Sequence, residues 1–218
     1  MVYRIQKAMK RVLFILMAWV LSMSAFAQTK LTAAQQQKVV EKVNKSTSAI
    51  TSMQCNFTQT KSMKMLSKKM QSAGVMYYKK TNKLRWQYTS PYDYTFVLNG
   101  DKVHIKSYKS SQKIDVQRNK MFRQITNIIL TTITGGSLKS SADFTVEMYQ
   151  ADKKYFARLY PKKKELKQIY SVIEIYFNPE LTMVSTVKMQ EKTGDVTTVN
   201  LINIKTNQPI NEKVFSAD

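Results

Sequence analysis

The chain has 218 residues, and its 35 lysines and arginines exceed its 14 acidic residues to give a net charge of +21. The single cysteine, Cys55, excludes an intramolecular disulfide. The charge favours anionic partners, such as lipid headgroups, acidic protein surfaces or nucleic acid. Lysines scattered along strands are also typical of a solvated face that prevents edge-to-edge sheet pairing.

Residues 1–27 predict a cleaved signal peptide, with an uncleaved membrane anchor as the alternative. Its features are the cations Arg4, Lys7, Lys10 and Arg11, the apolar run Val12–Met23 and the small residues of Ala25-Phe26-Ala27. Cleavage before Gln28 leaves 191 residues, enough for one domain, and removing the four cations leaves a net charge of +17. We therefore expect a soluble protein exported to the periplasm, which argues against nucleic acid as its partner.

The first predicted elements are a helix over Leu31–Ile50 and two strands. Thr32 and Gln35 have the spacing of a capping box at the start of this helix. The strand Met53–Thr60 follows, with Met53, Cys55 and Phe57 on one side, and then the strand Ala73–Lys79.

The next segment predicts three consecutive antiparallel strands with one aromatic face. Alternation places Leu84, Trp86 and Tyr88 on one face of the first strand and Tyr92, Tyr94, Phe96 and Leu98 on one face of the second. Asn99-Gly100 predicts a tight hairpin in which both residues are central turn positions with positive φ. Val103 and Ile105 continue into the third strand, and Ile114–Val116 is a short strand at best.

Apolar residues in Met121–Ile133 recur at helical spacing and predict a helix, which Gly135-Gly136 ends. Five further strands are predicted, separated by turn residues: Phe144–Tyr149, Tyr155–Tyr160, Ile169–Phe177, Leu181–Gln190 and Val196–Lys205. The total of about ten strands predicts one large, strongly curved antiparallel sheet, or incomplete β-barrel, covered by two helices in a single domain over residues 28–218. Such an arrangement encloses a cavity for an apolar ligand.

Catalysis finds little support in the sequence. Cys55 is better explained as a small buried residue than as a reactive thiol. His104, the only histidine, lies opposite the apolar Val103 and Ile105, so a dyad with Cys55 is improbable. The chain has no metal-ligand cluster, phosphate loop or dinucleotide fingerprint, and we expect neither an enzyme nor a cofactor.

Several motifs resemble the LolA-type outer-membrane lipoprotein carriers of Gram-negative bacteria. They are Phe57-Thr58-Gln59, the block from Gly74 to Trp86, Ser90-Pro91 and the Asn-Gly-Asp turn, within the same order of elements. The resemblance implies a monomeric helix-covered half-barrel. It would accept acylated lipoproteins from an inner-membrane ABC transporter and pass them to an outer-membrane receptor.

The resemblance also implies site residues. Lys80 matches a family arginine that holds the lid by hydrogen bonds to helix carbonyls, although lysine lacks the planar guanidinium and Thr81 replaces the family proline. Leu84 matches a position linked to docking on the transporter. The acyl cavity would be lined by Trp86, Tyr88, Tyr94, Phe96 and Leu98, with Ile125, Ile128 and Ile129 as a lid face.

Three alternatives remain open for the ligand and the role. The aromatic residues are also compatible with an ordinary sheet core, and the central helix with a permanently packed one. On the same half-barrel, the function is either a lipoprotein carrier, a lipid-sensing regulatory module, or a carrier of a non-protein lipid. We favour the lipoprotein carrier because a sensor needs a further partner-binding domain.

Overall fold

The structure is a computed structural model, which describes residues 28–80, 82–107, 110–115, 130, 138, 143–152 and 154–216. The predicted signal peptide over residues 1–27 lies outside the described residues. So does the predicted central helix over Met121–Ile133, except for Leu130, which is helical. No helix in the described ranges is long and apolar enough to cross a membrane.

The described strands form one twelve-stranded antiparallel sheet. They are β1 (Thr29–Lys30), β2 (Ser52–Met63), β3 (Lys68–Lys79), β4 (Lys83–Ser90), β5 (Tyr94–Asn99), β6 (Lys102–Ser107), β7 (Ser111–Asp115), β8 (Phe144–Ala151), β9 (Lys154–Pro161), β10 (Tyr170–Phe177), β11 (Val184–Glu191) and β12 (Val196–Thr206). Their order is β1-β8-β9-β10-β11-β12-β2-β3-β4-β5-β6-β7. The sheet is open, since β1 and β7 are its two edges, and the C-terminal strand β12 joins its two halves.

Besides Leu130, the described ranges contain three helical elements. Helix α1 (Ala33–Ser48) begins at Thr32 with the predicted capping box, in which the Thr32 hydroxyl accepts from Gln35 N and the Gln35 side chain accepts from Thr32 N. A second helix, α2 (Lys164–Ile169), and a C-terminal 3-10 helix (Glu212–Phe215) are shorter. The mainly β prediction with few helices is therefore confirmed.

Alternation along the strands gives the sheet a core face, which carries most of the buried apolar side chains, and an outer face. The predicted sets Met53, Cys55, Phe57 and Leu84, Trp86, Tyr88 all lie on the core face, because the register pairs Cys55 with Met76 and Met76 with Trp86. Arg85 and Gln87 lie on the outer face.

The buried core divides into two clusters. The helix cluster joins α1, through Val39, Val40 and Val43, to strands β8–β11. The aromatic cluster lies on β2–β6 and β12, and it includes Phe57, Met76, Leu84, Phe96 and Leu98. The partly buried Met189 packs against both clusters, so β11 is where they meet.

Several predicted elements differ from those observed. Twelve strands are present rather than about ten, because β1 pairs with β8 and β7 with β6. Ile169 ends helix α2 instead of beginning a strand.

The second aromatic strand and its turn also differ. Tyr92 is not on the core face: β5 begins at Tyr94, and Tyr92 is 79% exposed in the preceding turn. Asn99 pairs with Lys102, so the central turn residues are Gly100 and Asp101, of which Gly100 alone has positive φ. That is the geometry of a type II′ turn, which places glycine first.

The 3-10 helix is held against the outer face of β4 and β5. Arg85 Nη1 donates to the carbonyls of Val214 (3.2 Å) and Ser216 (3.5 Å). Lys79 and Lys83 both bind the Glu212 carboxylate, and these hydrogen bonds hold its pKa at about 2. The two faces of β4 therefore have different roles, with the tail on one and the aromatic cluster on the other.

Candidate functional site

The centre of the site is a group of aromatic rings on neighbouring strands of the core face. Phe57 stacks on Trp86 with ring centroids 4.3 Å apart, and it meets Tyr88 edge-on at 5.1 Å. Tyr88 in turn meets Tyr94 edge-on at 6.0 Å. These contacts join the four rings into one continuous apolar wall. Stacked and edge-on contacts of this kind stabilise aromatic pairs.

Exposure increases along this wall. Phe57 is 1% exposed, Trp86 and Tyr88 are half-buried, and Tyr94 is 37% exposed. The exposed parts of Trp86, Tyr88 and Tyr94 form apolar surface that a ligand can contact. Partly buried rings also pack against the helix cluster, namely those of Tyr155 and Tyr170.

Gly74 allows Phe57 to occupy the centre of the wall. In the register of β2, β3 and β4, Gly74 lies between Phe57 and Tyr88. A Cβ on Gly74 would lie 2.7 Å from Phe57 Cζ and 2.0 Å from the Gln87 carbonyl oxygen. Only glycine, which has no Cβ, allows the Phe57 ring and the β4 backbone to approach position 74 this closely. The Phe57 ring therefore occupies the space that a side chain at this position would fill.

Polar groups border the wall toward the β2–β3 hairpin. The Tyr88 hydroxyl donates to Gln59 Oε1 at 2.9 Å, while burial raises the pKa of Tyr88. Further along β2, Lys61 Nζ lies 2.9 Å from Glu191 Oε1, and this hydrogen bond raises the pKa of Lys61. The arrangement has an apolar centre and a polar rim, which suits an amphipathic ligand.

The structure places all five cavity residues predicted on β4 and β5 on the core face. Phe96 and Leu98 are buried in the aromatic cluster, and Trp86 and Tyr88 pack against it. Tyr94 pairs with Tyr88 across β4 and β5. Ile125, Ile128 and Ile129 lie outside the described residues, so the predicted lid face stays a prediction. Leu130, next to them in sequence, is partly buried and packs against the aromatic cluster.

Lys80 and Leu84 have different surroundings. Lys80 Nζ donates to the carbonyl oxygen of Ser48 at 3.3 Å, at the last turn of α1. A lysine therefore reaches a helix carbonyl, which is the contact that the resemblance implies for an arginine. Leu84 is 0% exposed on the core face, so its side chain contributes to the core and is not available for docking in this conformation.

Cys55 and His104 do not form a dyad. Cys55 is buried on the core face, where burial raises the pKa of its thiol to about 12. His104 lies on the other face, paired with Val97 and Lys113, and its Nε2 is 2.8 Å from Ser111 Oγ. The sheet separates the two side chains, and a protonated buried thiol is a poor nucleophile.

The sequence reasoning missed the importance of Phe57 and Met76 for the site. Both side chains are fully buried beside Trp86. Phe57 stacks on the Trp86 ring, and Met76 is paired with Trp86 between β3 and β4. Phe57 was visible in the alternation of β2, but only the strand register shows that it meets Gly74. The signal that could have found it is the pairing of a strand glycine with an aromatic residue on the next strand.

Comparison with known proteins shows what the chain is similar to. The family model described as outer membrane lipoprotein carrier protein LolA matches residues 48–218. An outer-membrane lipoprotein carrier protein of Legionella pneumophila (strain Corby) is 26% identical over 204 residues, covering 93% of this chain and 92% of its own. A carrier of the same description from Methylococcus capsulatus is 24% identical over 164 residues, covering 75% of each chain.

A solved structure shows a similar fold. A chain in the complex structure of Pseudomonas aeruginosa MucA/MucB has a TM-score of 0.50 at 8% identity, covering 84% of this chain and 61% of that chain. At this identity the match concerns the fold alone. The family match spans well over half of the residues and includes every strand of the aromatic wall. This chain therefore belongs to the family of outer membrane lipoprotein carrier proteins, LolA.

Proposed function

We propose that the protein is a periplasmic carrier that shields the acyl chains of lipoproteins while it moves them from the inner to the outer membrane. The observation that supports this most is the half-open aromatic wall of Phe57, Trp86, Tyr88 and Tyr94 on the core face. Family membership supports the same role. We further propose export by the predicted signal peptide and one domain over residues 28–218.

Curvature of the sheet would turn the wall into a cavity. Twelve twisted strands do not remain flat, and an open sheet of this size curls. We infer an incomplete barrel whose concave side is the core face, with α1 over the helix cluster and the helix of Leu130 over the aromatic wall. In this proposal, Ile125, Ile128 and Ile129 form the movable part of the cover.

Burial of acyl chains supplies the affinity in this proposal. Each methylene removed from water contributes about 0.8 kcal/mol, so an acyl chain needs only part of its length in the cavity to bind. The contacts that the cover makes in the empty protein offset part of that gain and keep release possible. Neither a cofactor nor catalysis is required, because an inner-membrane ABC transporter would supply the energy and an outer-membrane receptor would accept the cargo.

Trp86 provides a direct test. The chain has two tryptophans, Trp19 and Trp86, and removal of residues 1–27 leaves Trp86 as the only one. We expect a brominated fatty acid to quench the fluorescence of Trp86 in protein purified from the periplasm, while its unbrominated form does not. Equal fluorescence with both ligands at saturating concentration would contradict an acyl site at the wall.

Mass spectrometry of the material that co-purifies identifies the ligand. Triacylated lipoproteins in a one-to-one complex are the expected result. A free lipid instead would assign the protein to lipid transport, and a complex with a regulatory protein would favour the sensing alternative. With no ligand bound and no quenching of Trp86, the wall would be a filled core and the carrier proposal would fail.

A further inference from the structure

The β2–β3 hairpin ends in two exposed apolar side chains. Met65 is 88% exposed and Leu66 67% exposed, at the turn between the two strands. Single exposed apolar residues are common on protein surfaces. Two adjacent ones at the tip of a hairpin form a small apolar patch, and burying it against a partner would be favourable. The carrier role gives this tip no function.

Lysines surround this tip. Lys64, Lys68 and Lys69 are exposed within three residues of Met65 or Leu66. The nearby carboxylates of Glu191 and Asp195 both face Lys61, at 2.9 Å and 3.9 Å, and Asp195 also accepts from Lys64 N at 3.0 Å. Both carboxylates are therefore engaged along one side of the hairpin, while the three lysines around the tip are exposed.

The hairpin projects beyond β4, its neighbour on one side. The last pair between β3 and β4 is Ala73 with Ser90, and Ala73 pairs with Thr58 on β2. Residue pairs from Gln59–Ser72 to Met63–Lys68 continue without β4, which is a projection of about 16 Å at the usual rise per strand residue. On the other side, β12 flanks β2 up to Ser62, and the β11–β12 turn reaches Lys64, so the hairpin projects past β4 but not past β12.

The tip is held in position by its own contacts. Ser67 N donates to Lys64 O at 3.3 Å across the turn, and Ser67 has a φ of +48°. The Lys64 side chain lies against Gly194 in the β11–β12 turn, where an added Cβ would come within 2.7 Å of Lys64 Cδ. The apolar side chains are therefore presented on an ordered support.

A further partly exposed apolar side chain lies at the same end of the sheet. Ile169, at the end of α2, is 41% exposed, and its carbonyl accepts from Lys192 N at 2.9 Å. The register brings it there, since Tyr170 pairs with Glu191 just before the β11–β12 turn. Lys164 and Lys167 are on the same short helix, so this whole end combines apolar groups with lysines.

We propose that the β2–β3 hairpin tip inserts Met65 and Leu66 into the surface of a bilayer that contains anionic phospholipid, with Lys64, Lys68 and Lys69 at its headgroups. Apolar side chains surrounded by lysines suit the interface of such a bilayer, because the lysine stems lie along the acyl boundary while their ammonium groups contact phosphate. This inference goes beyond the carrier function and does not depend on the aromatic wall.

Vesicle flotation tests the proposal with protein purified from the periplasm. The probes are vesicles of phosphatidylcholine alone and of equal parts phosphatidylcholine and phosphatidylglycerol. We expect the protein to float with the anionic vesicles, less at about 0.5 M salt, where screening is strong. We expect the double variant M65S/L66S to bind them about tenfold more weakly, since two apolar side chains lose their burial. The variant K68S/K69S should bind more weakly and lose most of the salt dependence.

The control is Ile202→Ser, which also removes an exposed apolar side chain, but from the middle of β12, where Ile202 pairs with Asn56. It should float like the parent protein. Thermal unfolding should be unchanged in M65S/L66S, because both side chains are exposed. Failure of the parent to float with anionic vesicles, equal flotation with neutral ones, or undiminished flotation of M65S/L66S would each overturn the proposal. Trp86 quenching, measured in parallel, reports the acyl site separately.

Discussion

Gly74 lies directly opposite Phe57 in the β2–β3 ladder, at a position where a Cβ would come 2.7 Å from the Phe57 ring. The same Cβ would also lie 2.0 Å from the Gln87 carbonyl oxygen on β4. Gly74 thus determines both the spacing of β3 and β4 and the position of the central ring of the wall.

We expect Gly74→Ala to lower the free energy of unfolding by about 1–3 kcal/mol, the usual cost of inserting an atom into a packed core. Because Phe57 must also move away from Trp86, the emission maximum of Trp86 should shift. Denaturant unfolding and fluorescence measure the two effects. Ser72→Ala, a nearby change in β3 that adds no atoms, is the control. An unchanged stability in Gly74→Ala would mean that β3 and β4 separate easily at this point.

The predicted lid face can be tested at Ile129. A carboxylate there should weaken binding of a fluorescent acyl probe at least tenfold, because burying a charge against acyl chains is costly, with a smaller effect on the melting temperature. Asn127→Asp adds the same charge on the opposite side of the predicted helix and should bind normally. A pure loss of stability in Ile129→Asp would indicate a permanently packed helix instead of a lid.

The contact between Lys80 and Ser48 predicts a latch on the C-terminal end of α1. Lys80→Ala removes one exposed hydrogen bond, worth at most about 1 kcal/mol, so we expect faster hydrogen exchange in the last turn of α1 and faster uptake of an acyl probe. Lys80→Arg should retain or slow uptake, because guanidinium can donate to two carbonyls. Lys102→Ala, at an exposed lysine on β6, controls for loss of charge. Identical exchange in Lys80→Ala and Lys102→Ala would exclude the latch.

Attachment of the C-terminal 3-10 helix should depend on pH. The hydrogen bonds from Lys79 and Lys83 lower the Glu212 pKa from 4.5 to about 2. A depressed folded-state pKa stabilises the folded form above the unfolded pKa, and this contribution is lost as the pH falls from about 4.5 to about 2. The protection of the amides of residues 212–216, measured relative to the intrinsic exchange rate at each pH, should therefore decrease over that range.

Glu212→Gln provides the comparison for this effect. Its tail should exchange faster than that of the parent at neutral pH, and the difference should disappear near pH 2. Glu41→Gln, at an exposed helix glutamate hydrogen-bonded to Gln37, should behave like the parent throughout. A difference between Glu212→Gln and the parent that persists at pH 2 would show that something other than charge attaches the tail.

Local sequence signals predicted the strands of the wall well. Alternation in β4 placed Leu84, Trp86 and Tyr88 on one face because a strand has a fixed period of two, and the Thr32–Gln35 capping box formed as its spacing predicts. Tyr92 was misplaced because alternation alone does not show where a strand begins after a turn. The turn at Gly100 was shifted by one residue, since only the pairing of Asn99 with Lys102 fixes which residues are central.

The sequence pattern does not show which residues distant in the chain contact each other. The contact of Gly74 with Phe57 depends on the register between two strands, which a single sequence does not encode by period. The use of Arg85 to hold the carbonyls of Val214 and Ser216 joins residues far apart in the chain. Short elements such as α2 were missed because six residues are too few for a helical period to be recognised.

The position of β12 between β11 and β2 has a consequence for how the chain acquires its structure. Among the described strands, β12 is the last in chain order, and it connects the two halves of the sheet through pairs such as Leu201 with Phe57 and Val187 with Val199. Pairings between distant parts of a chain form slowly. A chain that crosses a membrane from its amino terminus therefore displays unfinished apolar strands until β12 emerges. In the export that we propose, the most aggregation-prone moment is therefore late, and it ends when β12 pairs with β2.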